Sequence, residues 1–340
     1  MDAIGIDTHK TTLAACLVDE LGTALDERTF DNNPAGHGAL LDWAAASPDA
    51  MIGVEGSSSF GAPAARFLIA AGRMVREVPP QLSRRERIRT RRPGKSDPGD
   101  ALAIARVTTR EPDLPPVRLV DASHEIQLLV EAREDIVAET TRVRNRVHAD
   151  LRVLVPGYGV TAANLTAARH QATVARLLRR LEGVQAGHAR ARLVRLRGLA
   201  AEERALTRQI ADRVAGHPLL GLPGAGVLVT AKLIGEVGDV GRFRSADAFA
   251  ALAVVAPIPA SSGQTQRMRL NRGGNRQLNR ALYTIALTQA RHHPPAMTYI
   301  AKKRSEGKSW REAIRALKRQ IVRTVFHLLQ AGPRPPRVAA

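Results

Sequence analysis

The first 110 residues alternate short apolar segments with turn-forming residues, and this alternation restricts the fold more than any other feature of the sequence. Short apolar runs bounded by Gly, Asn or Asp are typical of β-strands, whereas apolar residues that recur every three or four positions indicate helices. The predicted strands are AIGID (3–7), TTLAACLV (11–18), GTALDERTF (22–30), MIGVEG (51–56) and RMVREVP (73–79), and the predicted helices cover 36–46, 62–72 and 97–108. The segment therefore predicts an α/β domain.

Three antiparallel strands followed by alternating helices and strands are the layout of ribonuclease-H-like domains. The pattern changes at residue 121, where apolar residues with charges between them predict a long amphipathic helix to about 154. A second helical stretch covers 173–214, with weak positions at Gly183, Gly187 and Gly198. The two stretches form either an ordinary helical hairpin or a coiled-coil arm between subunits. A basic amphipathic helix over 309–329 closes the fold.

The charge of the chain is unevenly distributed. The net charge is +19, yet residues 1–80 carry 11 acidic and 5 basic side chains, a net of −6, and residues 261–340 carry 2 acidic and 17 basic ones, a net of +15. This asymmetry indicates a polyanionic partner, most simply nucleic acid. Aromatic residues make up only 3% of the chain, which favours contacts to phosphates and duplex over base stacking on single strands.

Two features indicate a soluble, cytoplasmic protein that contacts no membrane. The single cysteine, Cys16, excludes an internal disulfide. No apolar run approaches the roughly 18 residues that cross a bilayer.

Four carboxylates fall where the predicted fold could bring them together. Asp7 ends the first strand, Glu55 ends the fourth, and Asp97 and Asp100 of KSDPGD open a helix. Residues three apart share a helix face, and two-metal phosphoryl-transfer sites need three or four converging carboxylates around Mg²⁺. Capping explains the KSDPGD aspartates equally well, since Asp97 suits the N-cap and Asp100 the first turn.

Other segments predict contacts to nucleic acid. The run RRERIRTRR (84–92) is either a solvated basic helix or a phosphate-binding one. LPGAG (222–226) resembles the hairpin of a helix-hairpin-helix element, in which backbone N–H groups approach phosphate, although a tight structural turn has the same letters. The candidate nucleic-acid ligands are Arg84, Arg85, Arg87, Arg89, Arg91, Arg92, Gly224, Gly226, Arg267, Arg269, Arg272, Asn275, Arg276 and Arg280. A serine in ASSG (260–263) could attack a phosphodiester, although such a loop is usually structural.

The motifs GIDTHK, VEGSSSFG and KSDPGDALAIA, in this order, resemble those of the DEDD transposases of the 110 family of bacterial insertion sequences. LPGAG, RFRSADAFAALAVVAPIPASSG and RLNRGGNRQLNRALYTIAL resemble that family's C-terminal domain. The resemblance covers about residues 3–330. One departure is Val254, which stands where many relatives have glycine.

The resemblance implies an α/β + α fold with a ribonuclease-H/RuvC-like domain (1–118), a coiled-coil helical arm (119–215), a mostly helical C-terminal domain with a helix-hairpin-helix-like element (216–332) and a disordered tail (333–340). It implies that Asp7, Glu55, Asp97 and Asp100 bind Mg²⁺, with Mn²⁺ as a substitute. It also implies that Ser262 forms a covalent 5′-phosphoserine; the adjacent Ser261 is the alternative.

By the same resemblance, the protein is a nucleoid-associated homotetramer, a dimer of dimers, that acts on double-stranded donor and target DNA under the direction of a structured guide RNA. We therefore expect an insertion-sequence transposase that cuts and rejoins DNA. Two alternatives are a RuvC-like junction resolvase that hydrolyses DNA with metal-activated water, and a nucleic-acid-binding protein without catalysis.

Overall fold

The computed structural model describes residues 1–89, 97–117, 121–255, 258–259, 268–269 and 274–333, with the side chains of 97–98, 258–259 and 268–269 outside the description. The chain divides into two compact units at Val120/Asp121.

The first unit is built on a five-stranded mixed sheet with the order β3-β2-β1-β4-β5. The first three strands are antiparallel neighbours, whereas β4 lies parallel to β1 and β5 parallel to β4. The strands are β1 (Ala3–Thr8), β2 (Thr12–Val18), β3 (Ala24–Asp31), β4 (Met51–Val54) and β5 (Val75–Glu77). Each of the five strands predicted from the sequence is present in the structure.

Helices cover both faces of this sheet. They are α1 (Pro34–Ala44), α2 (Ala62–Ala70), α3 (Pro80–Arg89) and α4 (Asp97–Arg110). Because side chains alternate along a strand, Ile4 and Ile6 of β1 belong to the core that includes α1 and α2. Ala3, on the opposite face, belongs to a small core with Ala101 and Ala105 of α4.

Helix α4 packs directly on the backbone of β1. A Cβ atom on Gly5 would collide with the Ala105 nitrogen and the Ala101 carbonyl oxygen, and would lie 2.7 Å from Ala105 Cα. Only hydrogen fits between β1 and α4 at this position, so Gly5 fixes the distance between them.

The second unit contains helices of very different length. They are α5 (Ala122–Leu154), α6 (Ala168–Arg179), α7 (Val184–Val214), α8 (Val227–Val237), α9 (Ala246–Leu252), α10 (Arg276–His292), α11 (Pro294–Ser305) and α12 (Trp310–Ala331). A two-residue antiparallel pair, β6 (Ile258–Pro259) with β7 (Met268–Arg269), lies between α9 and α10. The long helix predicted from 121 to 154 and the helix predicted over 309–329 are confirmed.

The predicted helical stretch 173–214 is interrupted once. Helix α6 ends at Arg179 and α7 begins at Val184, after Gly183, whose φ of 95° a helix cannot contain. Helices α5 and α7 run antiparallel, joined by the ion pairs Glu125–Arg213, Arg133–Glu203, Glu139–Arg195 and Asp150–Arg192. With 33 residues, α5 is about 50 Å long.

The remaining helices complete the second unit. Helix α8 packs on both α5 and α7. Its residue Ala231 shares a small core with Ile126 of α5 and Ile210 of α7. Helices α10 and α12 supply most of a larger core around Phe249 and Phe326. The division of this unit into an arm and a C-terminal domain at residue 215 stays a prediction. All but Pro333 of the predicted tail lies outside the described residues. Within those residues, no helix is both long enough and apolar enough to span a bilayer.

Replacing Gly5 should destabilise the first unit. We expect Gly5→Ala to lower the free energy of unfolding by about 3 kcal/mol or more, because the new methyl group meets backbone that cannot move aside locally. Gly38→Ala is the matched control, since that glycine lies in α1 with open space around it and alanine favours a helix by about 1 kcal/mol. Urea unfolding of the two variants compares them; equal stabilities would contradict the contact.

Candidate functional site

Two carboxylates meet at one edge of the sheet because their strands are parallel neighbours. Ile6 of β1 pairs with Val54 of β4, so Asp7 and Glu55, each the next residue, emerge side by side. Burial raises the pKa of Asp7; the nearby His9 lowers it, and the negative charges of Asp100 and Glu55 raise it further. Because the charges of Glu55 and Asp100 both act on Asp7, the three carboxylates lie near one another, and we call them the acidic cluster.

Asp100 reaches the cluster from the first turn of α4, the helix that Gly5 holds against β1. Its side chain is only 5% exposed. Asp97 begins the same helix, but its side chain lies outside the described part of the structure, as do Arg91 and Arg92.

A further carboxylate, Glu77, was missed by the sequence reasoning. It ends β5, where it pairs in register with Val54, directly before Glu55. Burial raises the pKa of Glu77 to about 7; a hydrogen bond from the backbone N–H of Ser57 lowers it, and the charge of Glu55 raises it. The signal was a glutamate near the end of the predicted strand 73–79, whose register against β4 the sequence does not specify.

Neighbouring side chains contact these carboxylates. Ser83 Oγ donates to Glu55 Oε2 at 2.5 Å, and Arg87 Nη1 lies 2.9 Å from Asp100 Oδ1. His9 Nε2 is 3.3 Å from Asp7 Oδ2, yet this buried oxygen accepts no hydrogen bond from the residues that the structure describes.

The donor atoms suit a hard divalent cation. Asp7, Glu55 and Asp100 offer only oxygen, the ligand that Mg²⁺ prefers, and the buried Asp7 oxygen without a hydrogen bond is a ready ligand. However, no three metal-binding side chains of the described residues are arranged close enough to hold an ion. The cluster thus has the chemistry of a metal site without the arrangement of one.

The arginines predicted on α3 fall into two groups. Arg84 and Arg85 are exposed. Arg87 and Arg89 contact acids instead: Arg87 contacts Asp100, and Arg89 lies 3.5 Å from the buried Glu86, which also pairs with Arg110 at 2.5 Å. Ser83 and Glu86 are buried on one face of α3, and both interpretations of this basic segment stay predictions.

The segment predicted to contain the nucleophile lies outside the described residues, and so do Ser261, Ser262, Arg267 and Arg272, and the side chain of Arg269. Its two flanks are joined. The Asn275 backbone N–H donates to the Leu252 carbonyl at 2.8 Å, and the Asn279 amide donates to the carbonyls of Ala253 and Val254 at 3.0 and 3.1 Å. Lys318 Nζ of α12 in turn donates to Asn279 Oδ1 at 3.0 Å.

Several predicted nucleic-acid ligands have structural contacts. Asn275 caps α10 by accepting from the Leu278 N–H, and its amide donates to Glu236. Gly224 has a φ of 87° and packs against Ile285 of α10, which favours the structural-turn interpretation. Gly226, the N-cap of α8, has open space around it, and Arg276 and Arg280 are exposed on α10.

Comparison with known proteins places this chain in a family. Residues 4–156 match a family model of DEDD, IS110-type proteins described as transposase, and residues 216–301 match the model described as the transposase IS116/IS110/IS902 family. An uncharacterized 42 kDa protein of insertion element IS900 from Mycobacterium paratuberculosis is 30% identical over 78% of each chain. The chain belongs to the IS110 family of insertion-element transposases.

Other relatives cover more of the chain. An uncharacterized 43.6 kDa protein of insertion element IS110 from Streptomyces coelicolor is 29% identical over 97% of this chain and 94% of its own. Among solved structures, RuvC of T. thermophilus in complex with a Holliday junction substrate matches 31% of this chain and 90% of its own, at 19% identity and a TM-score of 0.26. That score is too low to support a conclusion.

The half-buried Glu77 should make the stability of this transposase depend on pH. Its pKa rises from an ordinary 4.5 to about 7 on folding, so the wild type loses stability as pH rises through this window. In EDTA, we expect the free energy of unfolding of Glu77→Gln to match that of the wild type below pH 4.5. At pH 8 it should exceed the wild-type value by up to about 3 kcal/mol. Urea unfolding at pH 4.5 and 8 measures the difference; a pH-independent difference would contradict the half-buried position of Glu77.

Val254 should show a preference for glycine over alanine. Its φ of 58° is left-handed, a conformation that costs residues with a Cβ about 1–2 kcal/mol. We expect Val254→Gly to be about 1 kcal/mol more stable than Val254→Ala. Val255 has no such φ, so Val255→Ala should be more stable than Val255→Gly. If the two positions gave the same order of stabilities, the strain at Val254 would be contradicted. Thermal unfolding of the four variants provides the comparison.

Proposed function

We propose that this transposase cuts and rejoins DNA through a serine nucleophile and a cluster of metal-binding carboxylates. The observation that carries the proposal is the convergence of Asp7, Glu55 and Asp100 at one edge of the sheet, where the charges of Asp100 and Glu55 raise the pKa of Asp7. Structural carboxylates seldom gather in this way, because their repulsion and burial cost stability.

Asp7, Glu55, Asp97 and Asp100 would hold Mg²⁺, with Mn²⁺ able to replace it. When bound, the metal supplies Lewis-acid stabilisation of the charge that develops on the phosphoryl oxygens. A carboxylate binds a metal in its ionised form, whereas burial raises the pKa of Asp7. Metal binding would therefore favour the ionised form of Asp7 against the effect of burial.

Ser262 would attack the phosphorus of a DNA phosphodiester, with Ser261 as the alternative. The new bond joins Oγ to phosphorus, the bond from phosphorus to the 3′ oxygen breaks, the serine proton goes to solvent and the leaving 3′ oxygen takes one up. A 3′-hydroxyl from another strand then attacks the phosphoserine, and Oγ regains its proton. No water is consumed, so the phosphoserine conserves the energy of the phosphodiester bond until the strands rejoin.

The cationic side chains would bind the nucleic acid around this chemistry. The net charge of +15 over residues 261–340 supports contacts to phosphate backbone from Arg267, Arg269, Arg272, Arg276 and Arg280, and the exposed Arg84 and Arg85 support such contacts beside the carboxylates. By family resemblance, a structured guide RNA would select donor and target DNA, and a tetramer would bring the carboxylates of one subunit to the serine of another.

A covalent-adduct assay tests the nucleophile. The protein, with co-purified RNA, Mg²⁺ and labelled DNA carrying the junction of the insertion element, is analysed on a denaturing gel. We expect a protein-linked DNA band that Ser262→Ala abolishes and Ser261→Ala retains; the reverse would assign the nucleophile to Ser261.

Asp97→Asn should abolish cutting but leave DNA binding within about twofold, because the aspartate contributes to the reaction rather than to backbone contacts.

The same gel distinguishes the alternatives. Cut DNA without any protein-linked band would indicate a resolvase that uses metal-activated water. No cutting on that gel, together with salt-sensitive DNA binding in a native gel-shift assay, would indicate a binding protein without catalysis.

A further inference from the structure

One face of α3 contacts two of the carboxylates proposed to bind metal. Ser83 and Arg87 are four residues apart and therefore lie on the same side of the helix, one turn from each other. Ser83 Oγ donates to Glu55 Oε2 at 2.5 Å, and Arg87 Nη1 lies 2.9 Å from Asp100 Oδ1. We call these two side chains the α3 clasp.

The clasp compensates a costly burial. The Asp100 side chain is 5% exposed and that of Arg87 is 34% exposed, so the arginine neutralises a carboxylate that has little access to water. A buried charge without a partner strongly destabilises a protein. Glu86, only 1% exposed and paired with Arg110 of α4 at 2.5 Å, holds α3 against α4 between the two clasp residues.

The clasp occupies oxygens that a metal ion at these two carboxylates would need. Asp100 Oδ1 and Glu55 Oε2 already accept hydrogen bonds, and a cation beside Asp100 repels a second cation.

We propose that Ser83 and Arg87 are positioning residues that hold Glu55 and Asp100 while the site is metal-free, and that a divalent cation displaces them from these carboxylates. This inference rests on the proposed function, in which Glu55 and Asp100 bind the metal. The clasp keeps the acidic cluster together before loading, and weakens metal binding in return. Removing Arg87 should consequently tighten metal binding, the opposite of what removing a structural support would do.

Titration with Mn²⁺ tests the competition, with the free ion followed by electron paramagnetic resonance at 0.15 M salt. Arg87→Gln should bind Mn²⁺ about tenfold more tightly than the wild type, the factor that corresponds to loss of one charged hydrogen bond. Arg66→Gln is the control, because it removes an exposed arginine of α2 and the same net charge. Equal or weaker binding by Arg87→Gln, or an equal gain in Arg66→Gln, would overturn the proposal.

A second measurement in EDTA tests the pairing without metal. Arg87→Gln should lower the Tm of the wild type, but should change it little in an Asp100→Asn background, where no charge needs neutralising. Equal losses of Tm in the two backgrounds would overturn the pairing. If neither the wild type nor Arg87→Gln binds Mn²⁺, whereas the Tm values in EDTA show coupling between Arg87 and Asp100, the metal assignment of the proposed function fails, and displacement fails with it. If both proteins bind Mn²⁺ equally tightly, only the proposed role of the clasp fails.

Discussion

The backbone contact between Gly5 and α4 determines the geometry of the acidic site. It leaves no room for a side chain between β1 and the helix, so the position of Asp100 is set relative to Asp7 by main-chain atoms. Glu55 is placed by the parallel pairing of β1 with β4, which is equally a main-chain constraint. Three carboxylates thus share one edge of the sheet because the backbone leaves them no alternative.

That arrangement is unfavourable in isolation, and the surrounding residues reduce its cost. Burial and like charges raise the pKa of Asp7 and of Glu77, which means that the ionised cluster destabilises the folded state. Arg87 opposes this for Asp100 through an ion pair, and Ser83 satisfies an oxygen of Glu55. Such local instability is common where a site must bind a ligand of opposite charge.

The sequence predicts the backbone of this site better than its side-chain contacts. The short apolar strands and their order were recognisable, so the meeting of Asp7 and Glu55 could be predicted from their positions at strand ends. The role of Glu77 depends on the register of β5 against β4, which no local pattern encodes. The contacts of Ser83 and Arg87 depend on how α3 packs on its neighbours. Likewise, the sequence makes Asn275 a candidate ligand of nucleic acid, and the tertiary structure shows that its side chain caps α10. The left-handed conformation at Val254 is favoured by glycine rather than valine, so valine itself does not predict it, and the glycine of many relatives at this position is the indication.

The anchoring of Asn279 has a consequence for the order in which the protein matures. Asn279 holds the carbonyls of Ala253 and Val254, and Lys318, 7% exposed, holds Asn279 from α12. During translation, the ribosome would release the residues predicted to contain the nucleophile well before α12 emerges. A nascent chain would therefore carry its serine without the final anchor of the flanking segment. The flank of this segment would thus gain its last described contact only when synthesis of the chain is nearly complete.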